Sequence, residues 1–299
     1  MSGELRPPRP AAASRVGAVL AELGLAIASF GGGVLWVQLL SAVGLLAEGS
    51  LLGGPVLMLG AGAVYQLIQR GGAAELRAPL VARRPGLWRA WGMVAALTAA
   101  LIAGSALISL LLHCAGVPAQ EQPQVRAITD GGWRWDPELM TLALGALILA
   151  PIGEEWLFRG LLFRRLWLGM GPGIAPKVAY PVTALLFAAA HYNPSGVAVY
   201  VWQAVVFGGA YRLTGRLWFA MLLHFANNAL TLVMLLSAGE SAGESAPGPT
   251  SQPTPQPRVE LRGPATAVYL GPPRATHSCI GRRTLLASAT QTRTRSSAG

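Results

Sequence analysis

Long apolar stretches separated by short polar loops occupy the first 236 of the 299 residues. A membrane-spanning helix needs roughly 17–25 mainly apolar residues. Seven apolar segments follow one another: a stretch that ends at Leu46, then Leu51 to Ile68, Trp91 to Leu112, Leu139 to Phe163, Ala179 to Tyr192, Val197 to Tyr211 and Leu217 to Leu236. The pattern predicts an all-α, polytopic transmembrane helical bundle of about seven spans. The fifth and sixth segments are short, so we expect the NPSG turn between them at or inside the membrane face.

The chain from Ser237 onward has a different composition. It contains the Pro/Ser/Thr-rich stretch SAPGPTSQPTPQP and few large apolar residues afterwards. Such a sequence cannot bury enough apolar surface to offset the entropy lost on folding. We therefore expect residues 237–299 to form a disordered C-terminal tail.

Composition excludes two classes for the chain as a whole. Charged residues make up 12%, against about 25% in soluble domains, while hydrophobic residues reach 53%. Apolar surface this abundant needs lipid as well as a core, which excludes a soluble globular enzyme and a disordered chain. With only two cysteines there is neither a disulfide framework nor a thiolate metal cluster.

The net charge of +10 could suggest a nucleic-acid partner, but its distribution favours a bilayer. Arginine and lysine concentrate in alternate loops between the apolar segments, whereas the remaining loops contain few. Cytoplasmic loops carry this excess in membrane proteins. We therefore predict a multi-pass protein of the cell membrane with a cytoplasmic N-terminus and no nucleic-acid partner. Seven spans would place the tail, with its seven arginines, outside, which conflicts weakly with this orientation.

The fourth apolar segment, ALILAPIGEEWLFRGLLFRRL, contains the charged residues that are the strongest candidates for catalysis or ligand binding. Glu155 and Arg159 are four residues apart on one helix face and can form an ion pair. Glu154 points about 100° away around the helix, so its carboxylate is left to polarise water or bind a cation. Pro151 is expected to kink the helix just before the acids. A helix end that enters the headgroup region is the simpler alternative for these charges.

Two histidines and an asparagine lie at similar depth in other apolar segments. Counted at ~1.5 Å per residue, Glu154 is roughly 15 Å from Arg164, His191 about 18 Å from Ala179 and His224 about 10 Å from Leu217. Asn228 follows His224 at i+4 on the same face. Each alone is more often a packing residue or interhelical contact, but together they predict one water-accessible site in the cytoplasmic half of the membrane. Glu22, near the start of the first segment, is interpreted as interfacial rather than catalytic.

Three short motifs in these segments resemble a known family. EEWLFR (Glu154 to Arg159) is similar to the EExxxR motif of the CPBP intramembrane proteases, the CAAX prenyl endopeptidase and bacteriocin-processing group. FAAAH (Phe187 to His191) resembles the second motif, FxxxH, and HFANN (His224 to Asn228) resembles the third. The motifs occur in the family's order, over about a third of the chain (Leu139 to Leu236).

The resemblance implies peptide-bond hydrolysis inside the membrane, on a peptide or protein substrate. Glu154 would be the general base, and His191 would help to hold the attacking water. His224 and Asn228 would stabilise the oxyanion, and Glu155 with Arg159 would brace the site. The implied organisation is a cytoplasmic N-terminal segment (1–15), N-terminal spans (16–112), a catalytic transmembrane domain (139–236) and the tail (237–299).

A metal and two other function classes stay open at this stage. Glu154, His191 and His224 could ligate zinc with one open position. We prefer a metal-independent site, because the chain has no HExxH and no outer-shell partners are evident. A non-catalytic family member could act as an immunity or accessory membrane scaffold. The same ionisable residues could instead form the relay of an ion-coupled transporter, although the paired broken-helix repeats of transporters are not seen.

Overall fold

The computed structural model describes residues 12–47, 50–69, 80, 84–118, 137–171 and 173–244. Within these ranges the regular structure is entirely helical, which confirms the predicted all-α fold. The seven helices in the described part are α1 (Ala12–Ala42), α2 (Gly53–Ile68), α3 (Leu87–Cys114), α4 (Pro137–Leu144 through Arg164–Met170), α5 (Ala175–Ala190), α6 (Val197–Thr214) and α7 (Leu217–Glu244). A 3₁₀ turn, Pro194–Gly196, joins α5 to α6.

Four of these helices have the length and apolar composition to cross a membrane: Arg15–Ala42, Leu87–Cys114, Leu139–Met170 and Leu217–Ser237. Helices α2 and α5 are apolar but shorter, at 16 residues each. Large apolar side chains are exposed along α1, α3 and α7, as expected where the solvent is lipid. The protein is therefore membrane-embedded, and the cytoplasmic N-terminus remains a prediction.

Helix α4 alternates between two helical geometries around the two glutamates. It consists of five consecutive segments: α-helical Pro137–Leu144, π-helical Gly145–Leu149, α-helical Ala150–Glu155, π-helical Trp156–Phe163 and α-helical Arg164–Met170. Pro151 has no N–H to donate, and the backbone before it is π-helical. π-helical turns are rare and often mark functional sites. The acids thus lie in a short α-helical segment bounded by two π-helical ones.

One boundary of the predicted organisation needs correction. Helix α7 continues to Glu244, eight residues past Leu236, where the sequence pattern placed the start of the disordered tail. Alanine and glutamate in SAGESAGE favour helix, and extending an existing helix avoids the cost of a new nucleus. The rest of the predicted tail, residues 245–299, and the first eleven residues lie outside the described residues.

The core is centred on the second half of α4. Fully buried aromatic side chains from α4, α5 and α6 meet there: Phe158, Phe163, Phe187 and Phe207. Helices α1 and α2 pack closely because small residues face each other. A Cβ at Gly33 would lie 2.6 Å from the carbonyl oxygen of Leu57.

Glu22 connects this helix pair to α4. Its carboxylate accepts hydrogen bonds from the Arg165 Nε, at 2.8 Å, and from the Tyr65 hydroxyl. Three helices are thereby joined through one side chain. This arrangement agrees with the interpretation of Glu22 as a residue outside the chemistry.

Candidate active site

The predicted ion pair on α4 is present and completely buried. The Arg159 Nη1 donates to the Glu155 Oε1 at 2.9 Å, and neither side chain is exposed. The second guanidinium nitrogen, Nη2, donates to the carbonyl oxygen of Ala204 on α6 at 3.0 Å. The pair therefore holds α4 and α6 together as well as cancelling its own charge.

Two aromatic rings enclose the Arg159 guanidinium. Its central carbon lies 4.5 Å from the ring centre of Phe187 and 5.3 Å from that of Phe207. A desolvated cation over an aromatic face is stabilised by the ring quadrupole. Phe187 is the first residue of the FAAAH motif, so the structure assigns this phenylalanine a contact with the arginine of the first motif.

Glu154 has different surroundings from its neighbour. Its side chain is 12% exposed, while that of Glu155 is fully buried. Its Oε2 atom has no hydrogen-bond donor among the described residues. The nearest titratable partner is the Nε2 of His191, at 4.0 Å. A small part of the Glu154 side chain is therefore exposed, although its Oε2 is buried, whereas no part of the Glu155 side chain is exposed.

The His191 ring is oriented by its own helix and by α6. Its Nδ1 lies 2.8 Å from the carbonyl oxygen of Phe187, which can only accept, so Nδ1 carries the proton. In the neutral ring, Nε2 then presents a lone pair towards Glu154. The ring stacks on Tyr200 with centroids 4.1 Å apart. Two acceptors that face each other at this distance are suited to a water molecule that donates one hydrogen to each.

His224 joins the buried pair rather than Glu154. Its Nδ1 lies 3.0 Å from the Glu155 Oε1, the same oxygen that accepts from Arg159. The ring stacks on Phe207 at 4.8 Å and meets Phe187 at 6.1 Å. Because Phe187 also contacts His191 at 4.6 Å, one aromatic ring bridges the two histidines.

Asn228 lies one helical turn further along α7 and bonds to α4. Its Nδ2 donates to the carbonyl oxygen of Ala146 at 2.8 Å, and its Oδ1 accepts from Asn227. Ala146 belongs to the π-helical segment Gly145–Leu149. The Asn228 amide therefore joins α7 to the π-helical part of α4. Its role in stabilising an oxyanion stays a prediction.

The three candidate zinc ligands do not converge on one point. His191 faces Glu154, whereas His224 bonds to Glu155. Across the described ranges, no three histidine, cysteine or acidic side chains are grouped so that they could hold a metal ion. The donor set thus does not fit the expected zinc geometry.

The sequence did not predict that α6 contacts the candidate site residues. Tyr200, Ala204 and Phe207 all contact site residues. They are spaced at i, i+4 and i+7, which places them on one helix face. That spacing was visible in VYVWQAVVF, but an apolar face of this kind is typical of ordinary core packing.

One family model matches the part of the chain that contains these residues. The family model described as type II CAAX prenyl endopeptidase, Rce1-like, matches residues 136–230. No curated protein and no solved structure shows a significant match to the chain. The matched segment begins next to α4 and contains each of the six predicted site residues. Residues 136–230 of this chain are therefore similar to the Rce1-like family of type II CAAX prenyl endopeptidases.

Proposed function

We propose that this chain is an intramembrane endopeptidase in which Glu154 activates water to hydrolyse a peptide bond near the membrane surface. One observation carries the proposal: the Glu154 Oε2, a buried carboxylate oxygen without a hydrogen-bond donor among the described residues, faces the His191 Nε2 across 4.0 Å. The adjacent carboxylate of Glu155 contacts Arg159 and His224 through its Oε1, and its Oε2 has no hydrogen-bond partner among the described residues. The two acids thus have the separate surroundings that a base and a structural residue need.

The proposed reaction is general acid–base catalysis. A water held between Glu154 and the His191 Nε2 loses a proton to Glu154 as its oxygen attacks the peptide carbonyl carbon. The tetrahedral intermediate collapses when the C–N bond breaks and Glu154 returns the proton to the leaving amine. His224 and Asn228 are proposed to donate hydrogen bonds to the oxyanion. Glu155 supports that role, because it holds the His224 ring in place through Nδ1.

The family description suggests the substrate class. A CAAX prenyl endopeptidase acts on a C-terminal peptide whose cysteine carries an isoprenoid, and we propose a membrane-anchored peptide of this kind. An apolar anchor in the bilayer would hold the scissile bond close to α4, α5 and α7. We also propose the cell membrane as the location, with a multi-pass topology and the N-terminus in the cytoplasm.

The central test is the Glu154→Gln variant, purified in detergent and assayed for cleavage of a prenylated CAAX peptide. The amide has nearly the same size but cannot take the proton, so we expect cleavage to fall at least ~10²-fold. The melting temperature should stay close to that of the unaltered protein. Glu22→Gln is the matched control, since it makes the same substitution outside the site and should preserve cleavage per folded molecule.

The outcomes separate the proposed functions. Near-normal cleavage by Glu154→Gln would show that Glu154 is not the base. No cleavage by any form of the protein, together with peptide binding, would favour the accessory scaffold. Ion flux in liposomes that depends on Glu154 would favour the transporter.

We further propose that the reaction is independent of a metal, because the candidate ligands are divided between two clusters. Dialysis against a strong chelator should leave the cleavage rate unchanged within about twofold. Metal analysis of the purified protein provides the second measurement. Stoichiometric zinc, with activity lost on chelation and restored by zinc, would contradict the proposal.

A further inference from the structure

A cavity of about 450 Å³ lies at the end of the bundle where α4, α6, α3 and α7 meet. Its described lining includes the three arginines Arg84, Arg164 and Arg216 and no aspartate or glutamate. These arginines come from three separate parts of the chain: the approach to α3, the last segment of α4, and the α6–α7 turn. Three arginines that are spread over 132 positions of the sequence therefore line one cavity in the folded protein.

Local contacts hold two of these guanidinium groups in place. Arg216 Nη1 donates to the carbonyl oxygens of Pro85 and Thr214, at 3.0 and 3.3 Å. Arg164, which is 5% exposed, donates to the hydroxyl of Tyr211 at 3.3 Å. Carbonyl oxygens carry no full charge, so the two contacts of Arg216 orient its guanidinium group without neutralising it. Preorganised arginines are well suited to phosphate oxygens.

Exposed tryptophans near the cavity are typical of helix ends at the level of lipid headgroups. Trp218 lines the cavity and is 43% exposed, and its ring contacts Trp91 on α3 at 5.7 Å. Trp88, one turn earlier on α3, is 89% exposed. Tryptophans concentrate at the interface between membrane and water. Beyond them, α3 and α7 present exposed apolar side chains along which acyl chains can lie.

We infer that this cavity binds the phosphate of an anionic membrane lipid. Basic pockets between membrane helices recognise such headgroups through their charge. Trp156, the residue after Glu155, also lines the cavity. A bound lipid would therefore contact the helix that carries both acids, at a site separate from Glu154 and His191.

The test compares anionic and neutral lipid on the detergent-purified full chain. Phosphatidylglycerol or phosphatidylcholine is titrated into the micelles, and bound lipid is counted by native mass spectrometry. We expect phosphatidylglycerol to bind more tightly, and Arg84→Gln combined with Arg216→Gln to weaken it by about fivefold per arginine. Arg89→Gln is the matched control, because it removes an exposed arginine of α3 that does not line the cavity. It should leave the affinity unchanged.

Each outcome has a defined meaning. Equal weakening by Arg89→Gln would indicate general surface attraction and overturn the site. Equal binding of the two lipids would also overturn it. Thermal melts with phosphatidylglycerol and with inorganic phosphate distinguish the source of the anion. If phosphate alone raises the melting temperature as much as the lipid does, a lipid ligand is contradicted. Arg84→Gln alone tests the site if the double variant fails to fold.

Discussion

Glu154 and Glu155 are adjacent in the chain but differ in every contact that determines their chemistry. Glu155 accepts hydrogen bonds from Arg159 and His224 in a fully buried setting. The Glu154 side chain is 12% exposed and faces the Nε2 of His191. A rotation of about 100° per residue is enough to separate a braced carboxylate from an available one.

We predict that Glu155→Gln damages stability as well as activity. The substitution leaves Arg159 buried without its counter-ion, and breaking one side of a buried ion pair costs ~3–5 kcal/mol. Thermal melts in detergent should show a clear fall in melting temperature, alongside loss of peptide cleavage. Glu154→Gln is the comparison, because it should lose cleavage with little change in the melt. Equal melting temperatures for the two variants would contradict the assigned division of roles.

At the scale of elements, close helix packing depends on individual glycines. In the run Gly31 to Gly33 of α1, only the last two face α2. A Cβ at Gly33 would meet the carbonyl oxygen of Leu57 at 2.6 Å, whereas nothing lies within 4 Å of one at Gly31. The backbone of α2 must therefore move if Gly33 gains a side chain.

We predict opposite effects for two substitutions in this run. Gly33→Ala should destabilise the protein by about 1–3 kcal/mol, since it overpacks the contact between α1 and α2. Gly31→Ala should be neutral or stabilising by up to ~1 kcal/mol, because alanine favours helix and meets nothing there. Thermal melts of both variants provide the measurement. A destabilising Gly31→Ala with a harmless Gly33→Ala would show that the packing face is wrong.

At the scale of the whole molecule, the six predicted site residues lie on α4, on α7 and at the C-terminal end of α5, and α6 supplies packing contacts. All of them precede residue 237, so the C-terminal residues can be removed without removing a predicted site residue. Helix α7 ends at Glu244. We predict that a chain truncated after Ala246 inserts into membranes, melts normally and retains peptide cleavage.

Truncation after Leu236 is the informative comparison for this prediction. It removes the last eight residues of α7, so it should lower the melting temperature more than truncation after Ala246 does. The reason is that Leu236 is buried and packs with Leu142 of α4, and a fraying helix end would loosen that contact. Loss of cleavage with normal insertion after truncation at Ala246 would show that the final segment contributes to activity.

Sequence alone determined the features that depend on local geometry. Apolar length predicted the helices, and the four-residue spacing predicted the Glu155–Arg159 ion pair, because a helix brings positions i and i+4 together wherever it lies. Similar depth along three helices predicted that Glu154, His191 and His224 come close together. Each of these inferences needs only the rise and rotation of a helix.

Tertiary structure alone decided which side chains face each other. The pairing of His191 with Glu154 and of His224 with Glu155, the bond from Asn228 to Ala146, and the contacts of Tyr200 and Phe207 all depend on how each helix is rotated about its axis. That rotation results from packing of the entire bundle, and a shift of one residue turns a different face inward. For the same reason, three arginines far apart in the chain converge on one cavity only after the helices have assembled.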